Sequence, residues 1–163
     1  IQQPEENLTA KSCFWNWSTQ EVKAIGDVIL KRKANNQITR SQKLYGQIGE
    51  EGINELVSAF YRRVKSDNIL GPLYPKNDWE GAEQRLADFL VYRCGGSDKY
   101  IKERGHPRLR MRHIQFTIGE KERDRWISLM SEAILERKIE NPAADLLSGF
   151  FIQTADFMRN VEG

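Results

Sequence analysis

The stretch Gly105–Phe116, GHPRLRMRHIQF, holds both histidines of the chain, and the rest of the sequence is interpreted around it. Pro107 suits the first turn of a short helix, because a missing N–H costs nothing there. His113 then lies near the end of that helix, with Leu109 one turn before it on roughly the same face and Met111 offset to the side. Such an imidazole is either a partly buried histidine bonded to a backbone carbonyl, the commoner case, or a ligand of a metal or haem iron.

Length and composition predict one soluble domain with a modest core. The 163 residues are 39% hydrophobic and 29% charged, with a net charge of only +2. So mild a charge does not require nucleic acid or a membrane as partner, and no apolar run approaches the roughly 20 residues that span a bilayer. Two cysteines without a disulfide framework fit a reducing compartment, so we expect a cytoplasmic protein with no signal peptide. The first residue, Ile1, leads us to expect a processed or trimmed form.

Apolar residues recur at helical intervals in five segments, and no segment alternates as a strand would. The first helix is predicted over about 19–33, after a capping-box spacing at 18–21. The other four carry their apolar stripes at 53–64, 79–90, 126–134 and 146–157. Thr117–Glu120 is predicted to be a second capping box, and Asn141-Pro142 a cap followed by a first-position proline. The sequence therefore predicts an all-α protein.

Turn residues separate the second and third of these helices. Gly49 and Gly52 are predicted to flank a short turn before the second helix. Gly71–Pro75, GPLYP, cannot be helix interior because both prolines break it, so Tyr74 is predicted to lie in a rigid corner. Asn77 or Asp78 is predicted to cap the helix that follows.

Two polar aromatic side chains and one small residue would be unusual in a close-packed core that encloses no pocket. Tyr61 lies in the middle of an apolar stripe and Trp126 leads another, although buried Tyr and Trp need hydrogen-bond partners. Ala82 is small at a position expected to face inward. A pocket would reconcile these features, with polar tips from Tyr61, Tyr74 and Trp126 and an apolar lining from Phe60, Leu86 and Phe89. The alternative is ordinary core packing with the polar tips on backbone carbonyls, which periodicity alone favours.

Six sequence blocks resemble the truncated, or two-over-two, haemoglobins, and among them the second group. The blocks are Phe60-Tyr61, Leu73-Tyr74-Pro75, Asp78–Leu86, Gly95-Gly96, Arg104–Phe116 and Glu122–Trp126, in the family's order and with family-like spacing. The block Arg104–His113, RGHPRLRMRH, is specific, since few unrelated chains would carry it by chance. The likeness runs from about Leu44 to Val161. We therefore expect a truncated globin domain at 44–163, a two-over-two helical sandwich around haem, and a helical N-terminal extension at 1–43.

The resemblance implies a haem site, with His113 as the proximal ligand of the iron. It implies that Tyr61, Tyr74 and Trp126 line the distal side. Ala82 falls at the distal-helix position where other globins often have His or Gln. The remaining expected haem-binding residues are Phe60 and Leu86, which would narrow the pocket, Phe89 and Leu109, which would line it, and Arg85, Arg112 and Tyr100, which match positions near the haem propionates. His106 is expected to be structural or propionate-side rather than a second iron ligand.

The function that the resemblance implies is binding of dioxygen, nitric oxide or carbon monoxide at the five-coordinate iron of haem b (iron protoporphyrin IX). Hydrogen bonds from Tyr61 and Trp126 to a partly negative ligand would contribute roughly 1.5–3 kcal/mol each and slow its release by about two orders of magnitude. Slow release argues against bulk oxygen transport. The alternative is a redox enzyme, a nitric oxide dioxygenase or peroxidase-like, which would need an external reductase because the chain has no flavin or nicotinamide motif. We expect a monomer or homodimer.

Two other classes of function are less well supported. Arg104, Arg108 and Arg112 fall four residues apart and could form a basic stripe for nucleic acid, but the net charge is small and no aromatic platform accompanies them. Two histidines seven residues apart and two distant cysteines lack the paired spacing of zinc sites. Neither a nucleic-acid partner nor a membrane partner is therefore expected.

Overall fold

The computed structural model describes residues 40–162, and every regular element within them is helical. The helices are α1 (Arg40–Lys65), α2 (Trp79–Arg93), α3 (Lys99–Arg104), α4 (Leu109–Arg112), α5 (Glu120–Glu136) and α6 (Ala143–Met158), with a 3₁₀ turn at Gly71–Leu73. The all-α prediction is confirmed for this part of the chain. The predicted helix at about 19–33 lies outside the described residues.

Four long helices form the two-over-two sandwich. Helix α1 packs on both α2 and α5, and α5 packs on α6. Their apolar faces meet in a core where Leu56, Phe60, Leu129, Met130 and Leu147 expose 2% of their surface or less. Burying a side chain of this size stabilises a fold by about 1.5–3 kcal/mol. Burial of the apolar helix faces predicted from the sequence therefore stabilises the packing of the four helices.

Helix α1 is longer than its sequence pattern predicts. It begins at Arg40 and passes through Gly49, whose φ of 69° and ψ of 174° place a kink inside the helix. Glycine adopts this positive φ without steric cost, so one residue changes the helix direction. The prediction of a turn from Gly49 to Gly52 is thus wrong in its length, because only Gly49 departs from helical geometry. Leu44, 1% exposed, extends the buried face ahead of the kink.

The corner between α1 and α2 is held by hydrogen bonds to Asp67 as well as by its two prolines. The Asp67 carboxylate accepts hydrogen bonds from the backbone N–H groups of Ile69 at 3.0 Å and Leu70 at 2.8 Å. Beyond the 3₁₀ turn, Tyr74 has an extended backbone with φ −94° and ψ 141°, as expected for a residue before proline. The corner therefore presents Tyr74 in a fixed position.

Three of the predicted helix caps differ from the structure in detail. Asp78 is the N-cap of α2, as predicted, but its side chain makes no capping bond. The capping box at Thr117–Glu120 is wrong: Gly119 is the N-cap of α5, and its N–H donates to Glu122 Oε2 at 2.9 Å. Pro142 is the N-cap of α6 rather than its first residue. Several polar residues stand before each helix, and spacing alone does not select among them.

None of the helices in residues 40–162 combines the length and the apolar character that crossing a bilayer would require.

Candidate functional site

A cavity of about 530 Å³ lies between the α1–α2 corner, the inner face of α2, the α3–α4 segment, α5 and α6. Pockets for cofactors and small molecules measure roughly 300–1,000 Å³, so this cavity has the size of such a site. Every predicted site residue except Phe60 lines it. Those lining residues are Tyr61, Tyr74, Ala82, Arg85, Leu86, Phe89, Tyr100, Leu109, Arg112, His113 and Trp126.

A single helical turn brings His113 to the cavity. Helix α4 begins at Leu109, two residues after Pro107, so the expectation that the proline occupies its first turn is wrong. Arg108 has a left-handed backbone with φ 43°, which reverses the chain direction just before the helix. His113 follows the last helical residue and is half-buried, while Met111 is 66% exposed.

The local hydrogen bond of His113 decides which ring nitrogen is free. Nδ1 lies 2.8 Å from the carbonyl oxygen of Leu109. Because a carbonyl only accepts, Nδ1 carries the proton and Nε2 keeps its lone pair. Burial lowers the pKa of His113, the Leu109 bond opposes this, and the charge of Arg112 lowers it further. The imidazole is therefore neutral at pH 7, the form in which histidine binds a metal.

Two phenols and an indole meet on another part of the wall. Tyr61 is buried, and its ring centroid lies 5.6 Å from that of Tyr74, with the rings nearly perpendicular. Burial raises the pKa of Tyr74 to about 12, although hydrogen bonds from Tyr61 and Trp126 lower it. Burial also raises the pKa of Tyr61, and the Tyr74 oxygen raises it further. Both phenols stay protonated at neutral pH, so the Tyr61–Tyr74 pair holds two hydroxyl hydrogens, of which only one is needed for a bond between the two oxygens.

Two aromatic rings support this group of donors. Trp79 stacks on Tyr74 with centroids 5.4 Å apart and an interplanar angle of 18°. Phe60 is fully buried and packs 5.4 Å from Tyr61 and 5.3 Å from Trp126, centroid to centroid. Phe60 does not line the cavity, contrary to the expectation that it narrows the pocket. Consecutive residues on a helix point in different directions, so Tyr61 takes the cavity side and Phe60 lies behind it.

The two arginines expected near the haem propionates already have partners. Arg85 Nη2 lies 2.7 Å from Asp78 Oδ2, an ion pair within α2 and its cap. Arg112 donates from Nε to the Pro107 carbonyl at 2.8 Å and from Nη2 to the Arg104 carbonyl at 3.0 Å. These bonds tie Arg112 to the backbone around α4, so both guanidinium groups are oriented at the cavity wall.

The inner wall is mostly apolar and includes one polar atom that the sequence did not single out. Tyr100 is buried, and its ring lies 5.4 Å from that of Phe89. Thr154 on α6 also lines the cavity, and its Oγ1 is buried with no hydrogen-bond partner in the structure. The sequence does not reveal this atom, because only the three-dimensional packing shows that the hydroxyl of a threonine in an apolar stripe lacks a hydrogen-bond partner.

The second histidine does not join the first. His106 Nδ1 accepts from the Arg108 N–H at 3.3 Å, and His106 is not part of the cavity lining. Within residues 40–162, no group of three or more His, Cys, Asp or Glu side chains could hold a metal ion. The zinc hypothesis therefore gains no support from the described chain, whereas an apolar cavity with one imidazole lone pair fits a haem.

Comparison with known proteins agrees with this geometry. A family model described as bacterial-like globin matches residues 43–160. The chain belongs to this globin family. As a globin it takes haem as its cofactor and binds small gaseous ligands such as oxygen.

Two curated relatives of this globin are Group 2 truncated hemoglobins. It is 38% identical over 116 residues to Group 2 truncated hemoglobin YjbI of Bacillus subtilis, covering 71% of this chain and 87% of that protein. It is 31% identical over 118 residues to Group 2 truncated hemoglobin 3-1 of Lotus japonicus, covering 71% and 70%. The resemblance to group II is thereby confirmed.

Solved structures confirm the truncated globin fold. A haemoglobin from the phototrophic bacterium Chloroflexus aurantiacus matches with a TM-score of 0.70 and 39% identity, over 72% of this chain and 98% of that one. A truncated oxygen-avid haemoglobin from Bacillus subtilis matches with a TM-score of 0.69 and 37% identity, over 72% and 98%. The group II truncated haemoglobin of Bacillus anthracis gives a TM-score of 0.71 at 30% identity, over 74% and 92%.

Proposed function

We propose that this globin binds dioxygen, and also nitric oxide and carbon monoxide, at a five-coordinate haem b iron held by His113, and that it releases dioxygen slowly. The observation that supports this most strongly is the Nδ1 bond of His113 to Leu109, which leaves Nε2 free in the wall of the cavity that also holds Tyr61, Tyr74 and Trp126. The oxygen-avid relative from Bacillus subtilis supports the same ligand class.

His113 supplies the only imidazole of the cavity wall. When bound, haem supplies an iron atom with one coordination position left for a diatomic gas. The Leu109 carbonyl fixes the tautomer of His113 and the plane of its ring, and raises the basicity of Nε2. Burial and, to a smaller extent, the Arg112 charge lower the pKa of His113, so a proton competes little with the metal at neutral pH.

The distal donors act as one hydrogen-bonded group. A hydrogen bond between Tyr61 and Tyr74 uses one of their two hydroxyl hydrogens and leaves the other to donate to a ligand, and in the ligand-bound state Trp126 turns its N–H from the Tyr74 oxygen to that ligand. A hydrogen bond to a partly charged ligand is worth about 1.5–3 kcal/mol, so two such bonds slow release by about a hundredfold or more. The apolar wall at Ala82 and Leu86 keeps competing water away.

The propionate side orients the haem more than it secures it. Arg112 is already held by two backbone carbonyls, and Arg85 would exchange Asp78 for a propionate or share the two. Tyr100 lies in the same wall. Because Arg85 and Arg112 are partly exposed, each propionate pair contributes only about 0–1 kcal/mol.

Titration of the purified full chain with haemin tests this proposal. We expect one haem per chain, a Soret band that sharpens on reduction with dithionite, and the ferrous carbon monoxide spectrum of a histidine-ligated haem. A chain that stays colourless, or haem that binds without a change on adding carbon monoxide, would contradict the proposed function.

Redox catalysis with the same haem is the second candidate. The proximity of three oxidisable rings favours redox catalysis. The ring centroids of Tyr61 and Tyr74 lie 5.6 Å apart, and the Phe60 ring contacts the rings of both Tyr61 and Trp126. The activity would be that of a nitric oxide dioxygenase or a peroxidase, with electrons from an external reductase. Loss of the oxygenated spectrum on adding nitric oxide, with stoichiometric nitrate and repeated turnover when a reductase is present, would distinguish catalysis from binding.

A further inference from the structure

The outer side of the α4 segment carries arginines that lack carboxylate partners. The stretch Gly105–Gly119 contains Arg108, Arg110 and Arg112 but no aspartate or glutamate. In residues 42–162, ion pairs hold seven other arginines: Arg62, Arg63, Arg85, Arg123, Arg125, Arg137 and Arg159. No such pair within that range includes Arg104 or the three arginines of Gly105–Gly119. Arginines without a carboxylate partner are thus concentrated around α4 on the described surface.

These four arginines divide into two sets by position. Arg104 and Arg112 line the cavity, where the carboxylates of a bound haem would meet them. Arg108 and Arg110 are exposed and do not line it. The guanidinium of Arg110 lies 5.8 Å from the ring centroid of Phe157, which holds the side chain over α6 without neutralising it. A bound haem would therefore leave Arg108 and Arg110 uncompensated.

Two large apolar side chains lie beside this uncompensated charge. Met111 is 66% exposed and Ile114 is 76% exposed. We call Arg108, Arg110, Met111 and Ile114 the α4 patch. Exposed apolar groups next to like charges are typical of docking surfaces, where apolar burial gives affinity and charge gives steering and specificity.

The α4 patch is also the outer face of the wall that carries His113. Helix α4 is a single turn, with Leu109 and Arg112 on the cavity side. A helix with its side chains is about 10–12 Å across, so a molecule seated on the patch comes within roughly that distance of the cavity. The chain has no flavin or nicotinamide motif of its own, so electrons for the iron must come from outside.

We propose that the α4 patch docks an acidic electron-donor protein that reduces the iron of the bound haem; this rests on the proposed function. Carboxylates of the donor pair with Arg108 and Arg110, and the apolar edge around its redox group covers Met111 and Ile114. The reduced donor loses one electron and the ferric iron gains it to become ferrous, with no bond made or broken.

The test uses the haem-loaded full chain and, as probe, a small acidic flavodoxin in its reduced form. We expect Arg108→Glu/Arg110→Glu to weaken flavodoxin binding at least tenfold at low salt and to slow reduction of the ferric haem by at least tenfold. The matched control is Lys43→Glu/Lys138→Glu, which changes an exposed lysine on α1 and one in the turn after α5 and gives the same change in net charge. We expect the control to change binding less than twofold.

A second pair of substitutions separates the apolar contribution from the charged one. Met111→Ser/Ile114→Ser should weaken flavodoxin binding severalfold while leaving its salt dependence unchanged, because no charge is altered. If Arg108→Glu/Arg110→Glu loses helical circular dichroism, Arg108→Gln/Arg110→Gln replaces it, with an expected loss of about threefold.

Failure of this proposal is distinguishable from failure of the proposed function. Equal binding by wild type and Arg108→Glu/Arg110→Glu would overturn the docking surface, as would an equal loss in the lysine control. Patch-dependent binding to anionic vesicles or duplex DNA that flavodoxin cannot displace would overturn it in favour of another partner. The Soret band and reduction by a small uncharged reductant should be the same in every variant, and their absence in the wild type would contradict the proposed function instead.

Discussion

At the scale of single residues, the chemistry of the cavity depends on which atom remains free after the local hydrogen bonds are made. His113 commits Nδ1 to Leu109 and keeps Nε2. Tyr61 and Tyr74 need one hydroxyl hydrogen between their oxygens and keep the other for a ligand. One lone pair and one outward hydrogen are what a haem and a diatomic ligand, respectively, require, and both are oriented by neighbours rather than by the side chains alone.

The distal group gives a prediction about ligand release. Tyr61→Phe and Trp126→Phe should each raise the dioxygen dissociation rate at least tenfold, because a hydrogen bond of about 1.5–3 kcal/mol to the ligand, or to the phenol that holds the ligand, is lost. Stopped-flow displacement of dioxygen by carbon monoxide measures the rate. Tyr92→Phe, which removes a phenol that does not line the cavity, is the control. Unchanged rates in both distal variants would contradict the proposed role of the group.

The resemblance to the truncated haemoglobins predicts most of the cavity wall, whereas helical periodicity alone favours ordinary core packing. Tyr61 and Trp126 stand out as polar rings in apolar stripes and His113 as an imidazole beside apolar neighbours, and all three line the cavity. Phe60 was not predicted correctly, because neighbouring positions on one helix look equally apolar in sequence and only the packing of α5 shows which one faces inward. The Arg85–Asp78 pair was also missed, since a side chain at a cap position has more than one partner within reach.

At the scale of elements, the site depends on how the α1–α2 corner is fastened to α5. Asp67 accepts the N–H groups of Ile69 and Leu70 with Oδ1, and its Oδ2 lies 2.6 Å from Arg125 Nε. Arg125 immediately precedes Trp126 on α5. This one carboxylate, 5% exposed at its side chain, therefore ties the corner that presents Tyr74 to the helix that presents Trp126.

The pKa of Asp67 gives this contact a pH dependence of known sign. Burial alone would raise the pKa, but the Leu70 N–H, Arg125 and the Ile69 N–H outweigh it and hold the pKa below its ordinary value of 3.8. Because the pKa is lower in the folded state, the ionised group adds stability above the unfolded pKa. That contribution is lost as the pH falls through the folded pKa.

Asp67→Asn should therefore lower the free energy of unfolding by about 1–2 kcal/mol at pH 7, because the oxygen for the N–H groups remains and the charged bond to Arg125 is lost. The difference from wild type should shrink as the pH is lowered towards about 3. Urea unfolding followed by circular dichroism measures both. Asp98→Asn, which breaks an exposed i,i+4 pair with Lys102, should cost less than about 0.5 kcal/mol. Equal losses in the two variants, or a difference that does not depend on pH, would contradict this assignment.

Helix boundaries were less predictable than helix existence. The stripes at 53–64, 79–90, 126–134 and 146–157 all lie inside observed helices, because burial of one face imposes a period that the sequence displays. The kink inside α1 and the cap of α5 depend instead on single backbone groups at Gly49 and Gly119, and one glycine resembles another in sequence. The sequence thus gives the faces of the helices more reliably than their ends.

At the scale of the whole molecule, a cavity of about 530 Å³ in a sandwich of four long helices leaves a large part of the interior to the cofactor. A ligand that binds only the folded state stabilises it by mass action, by about 4 kcal/mol at a thousandfold excess over its dissociation constant. For a chain of this length, that shift corresponds to a rise in melting temperature of about 10 °C. Thermal unfolding without haemin and with free haemin at about a thousandfold excess over its dissociation constant measures it. Identical melting temperatures would contradict the prediction that haem binds in this cavity and stabilises the folded chain.

The division of the chain into an extension at 1–43 and a globin domain at 44–163 stays a prediction; the family match at 43–160 begins one residue before the second part and ends three residues before its end. The helix predicted over about 19–33 lies outside the described residues. What the sequence could predict at this scale was the helical content and the two-over-two order, because a long likeness fixes the order of elements. The size of the cavity could not be predicted, since it depends on how the helices pack against one another.

The most direct test of the account is the haem spectrum of His113→Gly with and without imidazole, compared with His106→Gly as the matched control. We predict that His113→Gly loses the normal Soret spectrum or retains haem weakly, and that added imidazole restores the ferrous and carbon monoxide spectra. His106→Gly should behave as wild type. A His113→Gly protein whose haem spectrum matches that of wild type in the absence of imidazole would contradict the assignment of His113 as the iron ligand.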